Sequence, residues 1–217
     1  MDFNTARFNM VQQQIRTWNV LDLHILDLLG TTPREKFVPK PYQLLAFSDT
    51  SIPIGYNQVM LPPKLVGRIL QSINLQPEET ILEIGTGTGY MTALLSQLAQ
   101  EVVSFEIIPA LAKEARQNIK TLNLQNTLIE VGDGVNGYLN KHAPFDAIVL
   151  TGSLPFLPRI LREQLAIQGR LFAVVGNGPA MSAMLLTRID EEQWEEKCLF
   201  ETEIPPLTHP TIQHFQF

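Results

Sequence analysis

Nothing constrains this chain more than the run TILEIGTGTGY (80–90), in which an apolar, β-branched stretch passes into three alternate glycines and then into a helix-forming segment. A strand feeding a glycine turn and a helix is how an open parallel sheet builds a ligand crevice at the carboxyl ends of its strands. The rest of 80–175 repeats that rhythm. YMTALLSQLA is expected to be helical, VVSFEI a strand, PALAKEARQNIKTL a helix with Pro109 in its first turn, NTLIEV and DAIVL strands, PRILREQLA a helix and GRLFAVV a strand. Strands regularly separated by helices need crossover connections, which predicts a doubly wound α/β domain whose mostly parallel sheet is covered on both faces.

The flanks differ from this centre. Met10, Val11, Ile15, Trp18, Leu21, Ile25 and Leu29 are spaced for one or two helices, closed by the proline-rich TTPREKFVPKPY. Residues 1–50 are expected to form a helical cap without a core of its own, and 51–217 one compact ligand-binding unit. Beyond Gly176, AMLLTRI and KCLFETEI read as two more strands joined by a polar turn. The stretch SIPIGYNQVMLPPKLV (51–66) carries almost no chemistry and reads as a connector.

Composition narrows the partners. With 16 Lys and Arg against 22 Asp and Glu, and no basic block to neutralise phosphates, a nucleic-acid partner is disfavoured. No apolar run approaches the roughly 20 residues of a membrane span, and MDFNTARFNM lacks a signal-peptide core, so no membrane partner is expected and a cytoplasmic location is. Cys198 is the only cysteine, which excludes an intrachain disulfide or a thiolate metal cluster. His24, His142, His209 and His214 are scattered, the spacing of the last two is a weak metal signal, and no metal is expected.

The glycine loop discriminates between ligands. The dinucleotide fingerprint G-x-G-x-x-G/A fails in either register, its last small position falling on Tyr90 or on Thr92, and no G-K-[ST] follows to make a P-loop. Glu83, two residues before Gly85, would repel a pyrophosphate and attract the ammonium and sulfonium of S-adenosylmethionine. Gly85, Gly87 and Gly89 let the backbone turn and approach such a ligand closely. Glu106 ends the second strand about 20 residues on, where an acid accepts from ribose hydroxyls. Asp133, in GDG after the third strand, is placed to accept from an adenine amino group, with Gly134 leaving space beside it. Taken singly, each acid is equally a solvated strand end; three acids after three successive strands are harder to read that way.

PREKFVP (33–39), PIG (53–55) with Gln58, LEIGTGTGY (82–90), GDG (132–134), APFDAIVLTG (143–152) and QLAIQGRLFAVVG (164–176) resemble, in order, the blocks of the protein-L-isoaspartate O-methyltransferases, a family of S-adenosylmethionine-dependent methyltransferases. The resemblance implies a Rossmann-like methyltransferase fold, S-adenosyl-L-methionine as cofactor, and methylation of a carboxylate on damaged proteins as a step in their repair. It implies that Glu83, Gly85, Gly87 and Gly89 hold the methionine part, Glu106 the ribose and Asp133 with Gly134 the adenine. Ile84, Thr86, Tyr90, Ile107 and Thr151 are implied as further cofactor-binding residues. A carboxylate is already ionised at pH 7, so its methylation needs orientation and exclusion of water more than a strong base.

The chain departs from the family on the acceptor side. Where the family reads approximately G-x-G-Q-T-I-S-Q-P, this chain, framed by Gly55, Gln58 and Pro63, reads G-Y-N-Q-V-M-L-P-P. Val59 replaces a threonine, Leu61 the serine regarded as catalytic or substrate-positioning, and Pro62 a glutamine. Near the C-terminus F-V-P-L becomes IPPL (204–207), which keeps Pro206 and Leu207 while Pro205 removes an N–H. Two hydroxyls, an amide and backbone donors are gone, and a dry wall is expected in their place. Asp49, Gln58, Val59, Leu61, Pro206 and Leu207 are the acceptor-side candidates, Asp49 either touching substrate or capping a turn. No catalytic residue is assigned. Three readings stand: an isoaspartyl methyltransferase that tolerates the replacements, a methyltransferase of a different and more apolar acceptor, protein or small molecule, and a catalytically silent S-adenosylmethionine-binding protein.

Overall fold

The computed structural model describes residues 2–136 and 143–208, so His142, His209 and His214 lie outside the described residues. Helix α1 (Phe3–Asn9) starts on Asp2, which accepts from the Asn4 backbone, and α2 (Leu23–Thr31) starts on Asp22, which accepts from His24 and Ile25. Met10, Ile15 and Leu29 from this region are fully buried. They share one apolar cluster with the helix that begins at the end of the stretch read as a connector.

That stretch is two strands and the start of a helix. Strands β1 (Ile52–Gly55) and β2 (Gln58–Met60) form an antiparallel hairpin. Its turn residues Tyr56 and Asn57 both have positive φ, 55° and 58°, as a type I′ turn demands. Helix α3 (Pro63–Ile73) follows at once, with Pro62 as its N-cap and Pro63 in the first turn. This corrects the reading of Pro62 as a lost donor on a ligand wall: first-turn N–H groups have no intrahelical partner anyway, and the Pro62 carbonyl accepts from Leu65 and Val66. Leu65, Val66, Ile69, Leu70 and Ile73 form the buried stripe of α3.

The remaining elements are β3 (Thr80–Ile84), α4 (Tyr90–Leu95), β4 (Glu101–Glu106), α5 (Pro109–Thr121), β5 (Thr127–Val131), β6 (Phe145–Leu154), α6 (Arg159–Glu163), β7 (Leu165–Asn177), β8 (Ala180–Arg188) and β9 (Trp194–Glu201). Their strands make one sheet in the order β5-β4-β3-β6-β7-β8-β9. Neighbours from β5 to β7 are parallel, and β8 and β9 are added antiparallel. The expected doubly wound, mostly parallel α/β architecture is therefore present. Side chains alternate between faces: Ile81, Val102 and Val149 join the cluster with α3, while Leu82, Val103 and Ile148 build a second cluster opposite. Helix α4 stops short of the expected Ala99, because Asn126 Nδ2 takes the carbonyls of Ser96 and Ala99 at 2.8 and 3.0 Å.

Two features position the site. The chain runs outward from β3 through β4 to β5 and then returns to β6 on the other flank of β3, which places a topological switch at the carboxyl ends of β3 and β6. After β9, residues 204–207 return as a strap over the end of β6, with Ser153 N donating to Pro205 O and Leu207 N to Ser153 O, both at 3.0 Å. This pairing uses one carbonyl and the Leu207 N–H, so neither Pro205 nor Pro206 costs it a donor.

Candidate active site

The switch point opens into a cavity of about 630 Å³, counting the open space at its mouth. Gly85 leaves β3 at φ +98°, its N–H donating to Phe105 O at 2.8 Å. A Cβ there would stand 2.3 Å from Thr151 Oγ1 and 2.9 Å from Leu207 Cδ2, so only glycine fits. Gly87 N donates to Glu106 Oε2 at 2.7 Å, and Ile108 N donates to Glu106 Oε1 at 3.0 Å. Burial raises the Glu106 pKa, opposed by the backbone bonds from Ile108 and Gly87. Each of its oxygens retains accepting capacity, so this nearly buried carboxylate can take two further hydroxyls from a ligand in the cavity. Asp133 Oδ1 accepts from Val135 N at 3.0 Å, and its Oδ2 from the Asn136 amide.

Of the predicted cofactor residues, Ile84, Gly85, Gly87, Glu106, Ile107, Asp133, Gly134 and Thr151 meet on this wall. Four do not. Strand alternation turns Glu83 to the α4 side, where it is fully buried and its Oε2 accepts from Thr92 Oγ1 at 2.5 Å and Ser104 Oγ at 2.6 Å. Its Oε1 is buried without a hydrogen-bond partner, and Glu83 lines neither cavity. Gly89 caps α4 against α5, a Cβ there coming 3.2 Å from Ala115 Cβ, so its smallness serves helix packing. Thr86 and Tyr90 line an adjoining cavity.

Glu83 carries a pH dependence. Burial raises its pKa to about 7 against the hydrogen bonds from Ser104 and Thr92. A carboxyl with a folded pKa above its ordinary 4.5 holds its proton more tightly in the folded state, a contribution complete below pH 4.5 and lost as pH rises through about 7. Glu83→Gln cannot ionise. It should gain up to about 3 kcal/mol on wild type between pH 5 and pH 8 in urea unfolding. Superimposable pH profiles for the two proteins would refute this.

The adjoining cavity, about 370 Å³ with its mouth, lies between the β1–β2 hairpin and α4. Val59 and Leu61 line both cavities, so the expected dry wall stands at their junction. Gln58 Nε2 donates to Thr208 Oγ1 at 3.1 Å, tying the hairpin to the strap, and Leu207 lies over Gly152 and Gly85. Two acceptor-side candidates are elsewhere. Asp49 pairs with Lys64 Nζ at 2.7 Å, and Pro206 faces a separate cleft with Asn177 and Met181.

Sequence reasoning named Ile107 but missed Ile108 beside it and Leu111 on the deep wall, although Ile108 completes the apolar pair directly after the strand-end acid. It also missed Arg34 within PREKFVP. Arg34 is fully buried, its Nε donating to Ala46 O at 2.8 Å and its Nη2 to Leu61 O at 2.7 Å, with the guanidinium 4.8 Å over the Tyr90 ring. It fixes the backbone of Leu61 relative to the glycine loop. Among the described residues no group of three or more His, Cys, Asp or Glu could hold a metal ion, and no helix is long and apolar enough to cross a membrane.

Comparison with known proteins gives a consistent pattern. The model of the family Protein-L-isoaspartate(D-aspartate) O-methyltransferase matches residues 5–211. The chain is 40% identical to "Protein-L-isoaspartate O-methyltransferase 1" of Pelobacter propionicus, over 95% of this chain and 97% of that protein. Among solved structures, a protein-L-isoaspartate O-methyltransferase superposes with a TM-score of 0.81 at 24% identity, over 94% of this chain and 66% of that one. A putative Plasmodium falciparum protein-L-isoaspartate O-methyltransferase in complex with S-adenosyl-L-homocysteine gives 0.79 at 20% identity, over 94% and 97%.

Proposed function

The chain belongs to the protein-L-isoaspartate(D-aspartate) O-methyltransferase family, and we propose that it methylates the free carboxylate of isoaspartyl residues across the junction of the two cavities. It is a methyltransferase, its methyl donor is S-adenosyl-L-methionine, and its acceptor is a protein carboxylate. The donor supplies an electrophilic methyl group, which the carboxylate oxygen takes while the C–S electron pair stays on sulfur.

The observation that carries the assignment of residues is Glu106, a buried carboxylate locked by two backbone N–H groups with accepting capacity left over. It suits a vicinal diol. The tight turn at Gly85 offers backbone to an adjacent ligand group, and Asp133 stands at the far end of the same wall. Ile54, Val59 and Leu61 exclude water from the junction, where hydration of the carboxylate would slow its attack. A pH 7 carboxylate needs no base, so loss of the hairpin hydroxyls does not by itself favour a silent protein or another acceptor. We place the reaction in the cytoplasm, in keeping with a single cysteine and no disulfide. The excess of acids sets nucleic acid aside as a partner.

The test is methylation of paired peptides that differ only in an isoaspartyl or a normal aspartyl linkage, with labelled cofactor. Base-labile label should appear on the isoaspartyl peptide and not on its twin. No label on either would overturn the reading.

A further inference from the structure

On the reading proposed above, methyl transfer crosses the junction of the two cavities, and six residues line both. Ile54, Val59 and Leu61 offer hydrocarbon, Gly85 and Gly87 offer no side chain, and Thr151 alone brings a polar side-chain atom. Of the other hydroxyls nearby, those on Thr86, Thr88 and Tyr90 line only the adjoining cavity, and that of Thr208, which accepts from Gln58 Nε2 at 3.1 Å, lines only the first. Thr86 Oγ1 is already engaged with Ser104 Oγ at 2.6 Å, and the Tyr90 hydroxyl, buried without a hydrogen-bond partner, lines the adjoining cavity but not the shared wall.

We propose that Thr151 orients the acceptor carboxylate at this junction, in place of the hydroxyls that Val59 and Leu61 lack. The proposal rests on the isoaspartyl reading above. Thr151 Oγ1 donates to Gly85 O at 2.5 Å and lies 3.2 Å from Ile84 O, but a hydroxyl has a single hydrogen, so one acceptor holds it at a time. A carboxylate entering the junction offers a charge-assisted bond roughly twice as strong as the neutral one it replaces. The hydroxyl therefore turns toward the acceptor. Gly85 keeps that hydroxyl in place, since its missing Cβ would fall 2.3 Å from Thr151 Oγ1. With one carboxylate oxygen held by Thr151, the other forms the new C–O bond while the methyl C–S bond breaks and its pair remains on sulfur. No proton is transferred.

This separates Thr151 from the cofactor residues with which its sequence position groups it. Thr151→Val keeps the shape and removes the hydroxyl, whereas Thr151→Ser keeps the hydroxyl. With the isoaspartyl peptide, Thr151→Val should lower kcat/KM about ten- to a hundredfold, the range for loss of one hydrogen bond to a charged group. Its affinity for S-adenosylhomocysteine by calorimetry should match wild type, and its Tm should fall only by the modest amount that loss of the bond to Gly85 O implies. Thr151→Ser should recover kcat/KM to within about threefold. Wild-type kinetics in Thr151→Val would overturn the proposal, as would a parallel loss of S-adenosylhomocysteine affinity, or failure of Thr151→Ser to recover. Wild-type protein inert on the peptide would instead remove the isoaspartyl reading, and this inference with it.

Discussion

Gly85→Ala is expected to lower stability by roughly 3 to 6 kcal/mol and to abolish measurable binding of S-adenosylhomocysteine. Two costs combine. At φ +98° an L side chain is strained, and the new Cβ would sit 2.3 Å from Thr151 Oγ1 and 2.9 Å from Leu207 Cδ2. Relief requires Thr151 to leave the Gly85 carbonyl and the strap to lift from β6, which opens the roof of the deep cavity. Gly132→Ala is the matched control: it lines the same cavity, but its Cβ would meet Phe105 at 3.7 Å, an ordinary contact. That variant should lose under about 1 kcal/mol. Urea unfolding and calorimetry read both quantities. A Gly85→Ala protein within about 1 kcal/mol of wild type that binds the ligand normally would contradict the account.

The residues that were legible in the sequence are those whose position follows from periodicity. Glu106 and Asp133 could be placed because carboxyl ends of adjacent parallel strands converge, whatever the loops do. Glu83 sits on the other face from the cavity lining for a related reason. Its distance from Gly85 is correct, but the face it takes depends on the two-residue alternation, which opposes it to Leu82 and Ile84 and sends it toward Thr92. Counting the face, not only the spacing, would have put it behind the loop.

The hairpin was hidden by its turn. Type I′ turns are announced by Asn-Gly or Asp-Gly, and here Tyr56 and Asn57 adopt positive φ without a glycine between the strands. Pro62 and Pro63 looked like a chain breaker, whereas Pro at the first helical position is a start signal that the apolar spacing of Leu65, Val66 and Ile69 should have reinforced. Arg34 was illegible for a different reason: its partners Ala46 and Leu61 lie 12 and 27 residues away and are backbone carbonyls, which no residue pattern advertises. The resemblance located the departure at Leu61. Only the fold shows that the same junction contains Thr151, contributed by β6 from the opposite side.

Glu106→Gln should weaken S-adenosylhomocysteine binding about a thousandfold while leaving the apo protein folded. If both ribose hydroxyls donate to this carboxylate, two hydrogen bonds to a charged group are at stake, at about 1.5 to 3 kcal/mol each. The amide keeps the side chain's size but replaces one accepting oxygen with a donor. That donor must face either Gly87 N or Ile108 N, both of which now donate to the carboxylate at 2.7 and 3.0 Å. One of these two backbone N–H groups is thereby left unpaired. The same change removes a partly desolvated charge whose pKa burial raises, which offsets part of the structural cost and keeps the expected change in Tm small. A large loss of affinity without a matching loss of stability is therefore the signature of a ligand-binding carboxylate. If Kd moved less than tenfold, Glu106 would be a brace for the glycine loop, and the ribose would have to be held by other groups on the wall.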